Sequence, residues 1–253
     1  MDKSETKYSV PAVDKALSVL ELLAESPDGA TQSEIARKLG RSVTSLYRVF
    51  QVLEHRGYIY SSGPKSTYHL SLKMFEVANR HYPVQTLVEA AHVEVKAVCK
   101  TTLQSCHLAL LNGLEITIIH QQDPPLGTHY SVATGSRYPA LETSSGAVLV
   151  AYSDREIQQA FFDSLTTETE KAALKNRLDS IVRNGSERLQ SEVVPGILNL
   201  SVPVFDYTSS IAGVVTIPFL SQKYAQETQP DEALEMLKNA CKVISRNLGY
   251  KGT

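Results

Sequence analysis

Apolar residues recur first at helical spacing and then in alternation, and the change from one rhythm to the other outlines the chain. Over residues 11–25, Val13, Leu17, Leu20 and Ala24 fall three or four apart, which predicts an amphipathic helix ended by Pro27-Asp28-Gly29. Thr31 followed by Glu34 has capping-box spacing, so a second helix starts there with Ile35, Ala36 and Leu39 as its apolar stripe. Gly40 supplies the residue at which such a helix stops. Ser42 is the N-cap expected for a third helix, in which Leu46, Val49, Phe50 and Leu53 share one face. Gly57 ends it. Tyr58-Ile59-Tyr60 and Thr67-Tyr68-His69-Leu70 then alternate as two short strands around the turn chemistry of Ser61-Ser62-Gly63-Pro64-Lys65.

Two helices around a tight turn followed by a small hairpin predict a winged helix-turn-helix. At about 100° of rotation per residue, Arg41, Thr44, Arg48 and Gln51 project opposite the apolar face of the third helix, with Ser42, Ser45 and Tyr47 flanking them. These side chains suit phosphate oxygens and base edges, and Lys65 at the hairpin tip is placed to touch phosphate. Residues 31–73 hold seven Lys/Arg against two acids, a local net of +5 in a chain of net charge −2. Charge is thus concentrated where DNA contact is expected. The competing interpretation is a three-helix packing unit with a solvated basic face.

Beyond the hairpin, residues 72–81 read as a linking helix, and Pro83 marks an expected domain boundary. The partition is 10–71 for the winged unit, 72–83 for the linker and 84–253 for a second domain. A helix is expected over 84–100. Strands follow at 105–111 and 114–121, joined by Asn112-Gly113, a strong hairpin signal. Another strand is expected near 128–134 and a short helix over 143–152. Capping boxes at Ser153…Glu156 and Thr167…Glu170 predict two more helices, the second running to Asn184-Gly185. Strands near 187–192, 199–205 and 211–217 and a helix over 230–248 complete an α+β pattern, rather than a βαβ dinucleotide fold.

Composition narrows the class. At 253 residues with 42% hydrophobic and 21% charged residues, the chain can build two ordinary globular cores. It has neither a long apolar run nor a cationic-then-apolar leader, so a cytoplasmic location is expected, without a membrane partner. Cys99, Cys106 and Cys241 are odd in number and widely spaced, which predicts reduced, buried thiols. Cys106-His107 does not suggest a metal pair, because neighbouring strand residues point to opposite faces.

Taken together, these stretches resemble the IclR family of bacterial transcription regulators. The resemblance rests on VDKALSVLELLAES (13–26), SEIARKLGRSVTSLYRVFQVLEHRGYI (33–59), STYHLSLKMFEVA (66–78), GSRYPALETSSGAVLVAY (135–152) and PGILNLSVPVFDYTSSIAGVVTI (195–217). It implies a winged helix-turn-helix joined by a helix to a GAF-like α/β effector domain. It also implies a dimer or dimer of dimers on palindromic operator DNA, usually as a repressor, with a small organic effector and no cofactor. The implied pocket residues are Tyr130, Tyr138, Ser144, Ser145, Leu189, Ile197, Asn199 and Thr216. Ser144 and Ser145 would offer N–H groups at a helix N-terminus, and Asn199 and Thr216 orienting hydrogen bonds. Relatives that bind small 2-oxo acids carry an acidic residue at the place of Leu189 and a Cys at that of Asn199. Their replacement here suggests a larger, less polar ligand such as an aromatic or sugar-derived acid.

An enzymatic C-terminal domain is the alternative. Thr143-Ser144-Ser145-Gly146 is a hydroxyl cluster, and histidines stand at 92, 107, 120 and 129. Yet GxSxG, HExxH, P-loop and GxGxxG motifs are all missing. A DNA-binding module that has lost its reading function is disfavoured by Thr44, Arg48 and Lys65.

Overall fold

The computed structural model describes residues 10–64, 66–79, 82–125, 129–191, 194–220 and 228–252. The chain divides between residues 81 and 82 into two compact units. The first contains α1 (Pro11–Ala24), α2 (Gln32–Lys38), α3 (Val43–His55), β1 (Ile59–Ser62), β2 (Thr67–Leu70) and α4 (Lys73–Asn79).

Local signals place these helices closely. The Thr31 hydroxyl accepts from the Glu34 N–H while the Glu34 carboxylate accepts from the Thr31 N–H, so both halves of the capping box form. Gly40 adopts φ +63°, and the following Arg41 N–H donates to Ala36 O, closing the helix end. Ser42 caps α3 by accepting from the Ser45 N–H at 3.2 Å. The hairpin pairs Ile59 with Leu70 and Ser62 with Thr67, and Ala30 adds a bridge to Tyr68 as a third edge. Gly29, at φ +73°, passes so close that a Cβ would meet Tyr68 O at 2.6 Å.

The core of this unit joins Ile35, Leu46, Phe50, Leu53, Ile59 and Tyr68 to Val19 and Leu23 of α1. The expected inner face of α1 is corrected here. Val13 and Leu17 are 52% and 51% exposed, whereas Val19 and Leu23 are buried. Apolar residues occur on several sides of that helix, and packing against α3 selects among them. Of the linking helix, α4 is the described part and residues 80–81 lie outside the described residues.

The second unit comprises α5 (Tyr82–Thr102), β3 (Cys106–Asn112), β4 (Glu115–Gln122), β5 (Arg137–Pro139), a 3-10 turn (Ala140–Glu142), α6 (Ser144–Tyr152), α7 (Arg155–Ser164), α8 (Glu168–Asn184), β6 (Glu187–Gln190), β7 (Ile197–Phe205), β8 (Ile211–Leu220) and α9 (Pro230–Asn247). Its strands form one antiparallel sheet in the order β5-β4-β3-β8-β7-β6. Alternation sorts the side chains. Cys106, Leu108, Val202, Val215 and Ile217 meet α5 and α9, while Ala109, Ile116, Ile118 and Val214 meet α6 and α8. Residues 144–151 of α6 are buried on every side.

Four details depart from expectation. No strand forms over 129–134, and 126–128 lie outside the described residues. Instead, Gly135 turns at φ +90° and its N–H donates to Ile118 O, so pairing with β4 resumes only at β5. The β3–β4 loop is Gly113-Leu114, one residue later than expected, with Asn112 facing Glu115. The cap of α7 is Asp154, which accepts from the Ile157 N–H at 2.9 Å, while Ser153 turns its hydroxyl back to donate to Leu149 O. Pro83, expected at a boundary, lies in the first turn of α5, where its missing N–H has no intrahelical partner to lose.

Phe50 is fully buried and its ring lies 4.9 Å from that of Tyr68. Phe50→Ala should destabilise the first unit by about 3–5 kcal/mol. Urea unfolding followed by circular dichroism should then show an early separate transition, and an unshifted curve would remove Phe50 from the core.

Candidate functional site

In the first unit, α3 buries Leu46, Val49, Phe50 and Leu53 and turns Thr44, Ser45, Tyr47, Arg48 and Gln51 outward. These five are exposed, as are Arg41 and the N-cap Ser42 in the turn before it. Among the described residues, neither Arg41 nor Arg48 has an acidic partner, so both guanidinium groups are available to an external anion. Gln51 donates to the Tyr47 hydroxyl at 3.0 Å, and the Ser45 hydroxyl donates to Ser42 O. Lys65 lies outside the described residues.

In the second unit, a cleft of about 650 Å3, counting space open at its mouth, lies between the sheet and the start of α6. It takes His107, Ile116 and Ile118 from β3 and β4, and Tyr130, Val132 and Tyr138 from the segment leading into β5. Glu142, Thr143, Ser144 and Ser145 come from the entry to α6, and Leu189, Gln190, Ser191, Asn199 and Pro218 from β6 to β8. Apolar walls with a few convergent polar groups are the usual make-up of a small-molecule site.

The rim is held by close backbone packing and by one ion pair. A Cβ on Gly146 would meet Ala140 O at 2.1 Å, so only glycine lets the first turn of α6 rest on the 3-10 turn. Arg177 of α8 donates from Nε to Glu187 Oε1 at 2.6 Å and from a terminal nitrogen to Oε2 at 3.0 Å. It also donates to Leu141 O at 2.8 Å and Thr143 O at 3.2 Å, tying α8 and β6 to the pocket lip. Thr143 caps α6 by accepting from the Gly146 N–H at 3.0 Å. The first helical bond runs from the Ala147 N–H to Thr143 O, so the N–H groups of Ser144 and Ser145 have no intrahelical acceptor and carry the positive end of the helix dipole.

Polar atoms in the pocket are left without partners. Ser144 is 2% exposed and His107 6%, yet Ser144 Oγ and His107 Nδ1 form no hydrogen bond. Among the described residues, the Asn199 amide also has no partner. Burial pushes His107 down from an ordinary value near 6.5 to about 4, so its ring is neutral at pH 7. Burial, then the neighbouring Tyr138, raises Tyr130, which keeps its phenol protonated. No lysine or arginine lines the cleft among the described residues.

Six residues expected at the pocket are therefore gathered there: Tyr130, Tyr138, Ser144, Ser145, Leu189 and Asn199. Ile197 and Thr216 are placed elsewhere. Ile197 is buried opposite Leu220 near the strand end. Thr216 sits beneath the floor, its hydroxyl 2.9 Å from Ser145 Oγ and 2.8 Å from Ser201 Oγ. His107 was not anticipated. Its β3 register opposite Thr216 brings it under α6, and the available sequence signal was the alternation that turns Cys106 to the other face. Among the described residues no group of His, Cys, Asp and Glu could hold a metal, and the cysteines are free and buried.

A winged helix-turn-helix followed by an α/β unit with a cleft of its own is the make-up of a transcription regulator of the helix-turn-helix type. Residues 12–63 match the IclR helix-turn-helix domain, and residues 82–246 match the bacterial transcriptional regulator IclR C-terminal domain. The chain belongs to the IclR family. It is 28% identical over 257 residues to the HTH-type transcriptional regulator KdgR of Escherichia coli K12, covering 98% of this chain and 97% of that one. Its fold matches an IclR homolog from Microbacterium hydrocarbonoxydans complexed with 4-hydroxybenzoate (TM-score 0.77, 18% identity, 94% of this chain and 99% of that one). It also matches Pseudomonas aeruginosa HmgR (TM-score 0.72, 24% identity, 95% and 100%). The curated relatives are named as transcriptional regulators, not enzymes. No described helix is long and apolar enough to cross a membrane.

The depressed value of His107 has a stability consequence. Below pH 6.5 the unfolded chain takes up a proton that the folded chain refuses until about pH 4. Stability should therefore fall as pH drops through that window and level off below it. In His107→Asn the slope there should be shallower by up to about 1.4 kcal/mol per pH unit. Urea midpoints measured across the window check this, and parallel curves would show that His107 is not held neutral.

Proposed function

We propose that this chain is a ligand-responsive repressor of a catabolic operon that binds a palindromic operator as a dimer or dimer of dimers. The reading parts are Arg41, Ser42, Thr44, Ser45, Tyr47, Arg48 and Gln51 on the α3 side, with Lys65 on the wing. The DNA-reading domain is taken as residues 10–71, the linker as 72–83 and the effector domain as 84–253. The effector is a small aromatic or sugar-derived acid held through its carboxylate at the start of α6.

One observation carries this reading. Residues from β3, from the segment before β5, from α6 and from β6–β7 converge on a cleft whose buried polar atoms lack partners. Buried polar atoms are rarely left this way unless something else satisfies them. Tyr130, Tyr138, Ile116, Ile118 and Val132 offer ring-sized apolar walls, and Asn199 an orienting amide. The 4-hydroxybenzoate bound to the Microbacterium relative supports an aromatic acid, and Glu142 at the lip disfavours a polyanion. Ligand binding alters DNA affinity only if one DNA-binding arrangement holds the ligand better than the other.

Thermal unfolding of the full chain against a panel of organic acids tests the sensor. A ligand at about 100 times its dissociation constant adds about 2.7 kcal/mol, so a binder raises the midpoint visibly, whereas a panel without effect would count against it. Arg48→Ala should weaken binding to an operator fragment selected from genomic DNA by about 1–3 kcal/mol. Unchanged anisotropy titrations would take Arg48 out of the interface. Asn199→Leu should abolish the effect of the ligand on DNA binding while leaving ligand-free DNA affinity intact. A preserved response would exclude that amide.

A further inference from the structure

We propose that His107 is an effector-contacting residue, a neutral imidazole locked with its proton on Nδ1, which it donates to an acceptor oxygen of the ligand. This deepens the pocket reading above and rests on it for the identity of the ligand group.

The lock is a chain of buried hydroxyls running across three strands and a helix. Ser201 Oγ lies 2.8 Å from Thr216 Oγ1, Thr216 Oγ1 lies 2.9 Å from Ser145 Oγ, and Ser145 Oγ lies 3.2 Å from His107 Nε2. All four residues are buried, from 0% exposed at Ser201 to 6% at His107. Among the described residues no other acceptor reaches these three hydroxyls. The chain therefore has three contacts to fill and three hydroxyl protons to place. If Nε2 carried a proton, it would fill the contact to Ser145 itself and strand one O–H in the core. A bare Nε2 lets Ser201 donate to Thr216, Thr216 to Ser145, and Ser145 to the ring. This moves the one unfilled donor from the sealed core at Ser201 to Nδ1 of a cleft-lining residue. A donor stranded in the core costs on the order of a lost hydrogen bond, whereas one in the cleft can be met by water or a ligand, which selects the second arrangement.

A neutral ring with a bare Nε2 carries its proton on Nδ1. That atom is buried and without a partner in a residue lining the cleft. Ser144, at the N-terminal turn of α6, lines the same cleft with its Oγ also buried and unpartnered. Imidazole N–H, serine O–H and helix N–H groups all donate, so this end of the pocket accepts an oxygen-rich group. No arginine or lysine lines it among the described residues, so the carboxylate of the effector proposed above is met here by neutral donors. Ser145 sets the tautomer through its contact to Nε2, and Thr216 and Ser201 complete the row beneath the cleft without lining it.

Nitrogen NMR of the full chain labelled with 15N-histidine decides the tautomer without a ligand. The expected His107 signals, assigned by their loss in His107→Gln, show a protonated Nδ1 and a bare Nε2. A protonated Nε2 overturns the proposal. Ser145→Ala should disturb this pattern, because it removes the one hydroxyl that donates to Nε2, and an undisturbed ring would remove the hydroxyl chain as its cause.

Contact is read with 4-hydroxybenzoate and gluconate as aromatic and sugar-acid probes. Whichever binds the parent should bind His107→Gln at least tenfold more weakly, because glutamine places its amide near Nε2 and leaves the Nδ1 site empty. His107→Asn puts an amide near Nδ1 and should recover part of the loss. Equal affinity in all three proteins overturns the contact and leaves the carboxylate pocket standing. If neither probe binds the parent, the pocket reading loses its support, and the ring signals still decide the donor.

Discussion

Burial of α6 on every side is the constraint from which the second unit is organised. A helix with its first eight residues inside the core cannot leave its N-terminal polar groups to water. Thr143 satisfies one N–H as cap, and Ser145 turns its hydroxyl into a row with His107, Thr216 and Ser201. What remains unsatisfied, Ser144 Oγ and His107 Nδ1, faces the cleft. The same burial demands Gly146, since any side chain there would strike Ala140, and it uses Arg177 to fix the carbonyls of Leu141 and Thr143. Rigidity of this lip is what makes a cleft with preset donors, so that little ordering cost falls on binding.

The first unit solves the opposite problem. Its single apolar face on α3 is closed against α1, α2 and the hairpin, which leaves the other face free to carry charge with no internal purpose. Arg41 and Arg48 contribute nothing to packing and have no acidic neighbour among the described residues. A surface that keeps its cations unpaired suits a polyanion, whose phosphates provide the pairing. Membership of the IclR family and the names of its regulators agree with that physical reading.

Short-range chemistry was legible because its partners lie within a few residues. The capping boxes of Thr31 with Glu34 and Thr167 with Glu170 form as the spacing requires, and Gly40 and Gly185 end their helices at positive φ. Errors arose where two local solutions compete. Ser153 and Asp154 are both cap residues by type, and the start of α7 at Arg155 puts the carboxylate at the cap while Ser153 donates back to Leu149 O. The face of α1 was misjudged because apolar residues surround much of that helix, so periodicity alone could not say which side meets α3.

Local periodicity, capping and turn chemistry specify the helices, the outward face of α3 and the α+β character of the second unit. They do not specify β5, which forms at 137–139, whereas the pattern points to 128–134. The cleft segments were legible only through the resemblance to the IclR family. Strand pairing is what puts Thr216 under the floor, buries Ile197 and brings His107 into the site. These outcomes depend on strand register. Residues 107, 201 and 216 are far apart along the chain and become neighbours only when β3, β8 and β7 pair in one order. No local rule of propensity or spacing carries that information, because it is a property of which strand lies beside which.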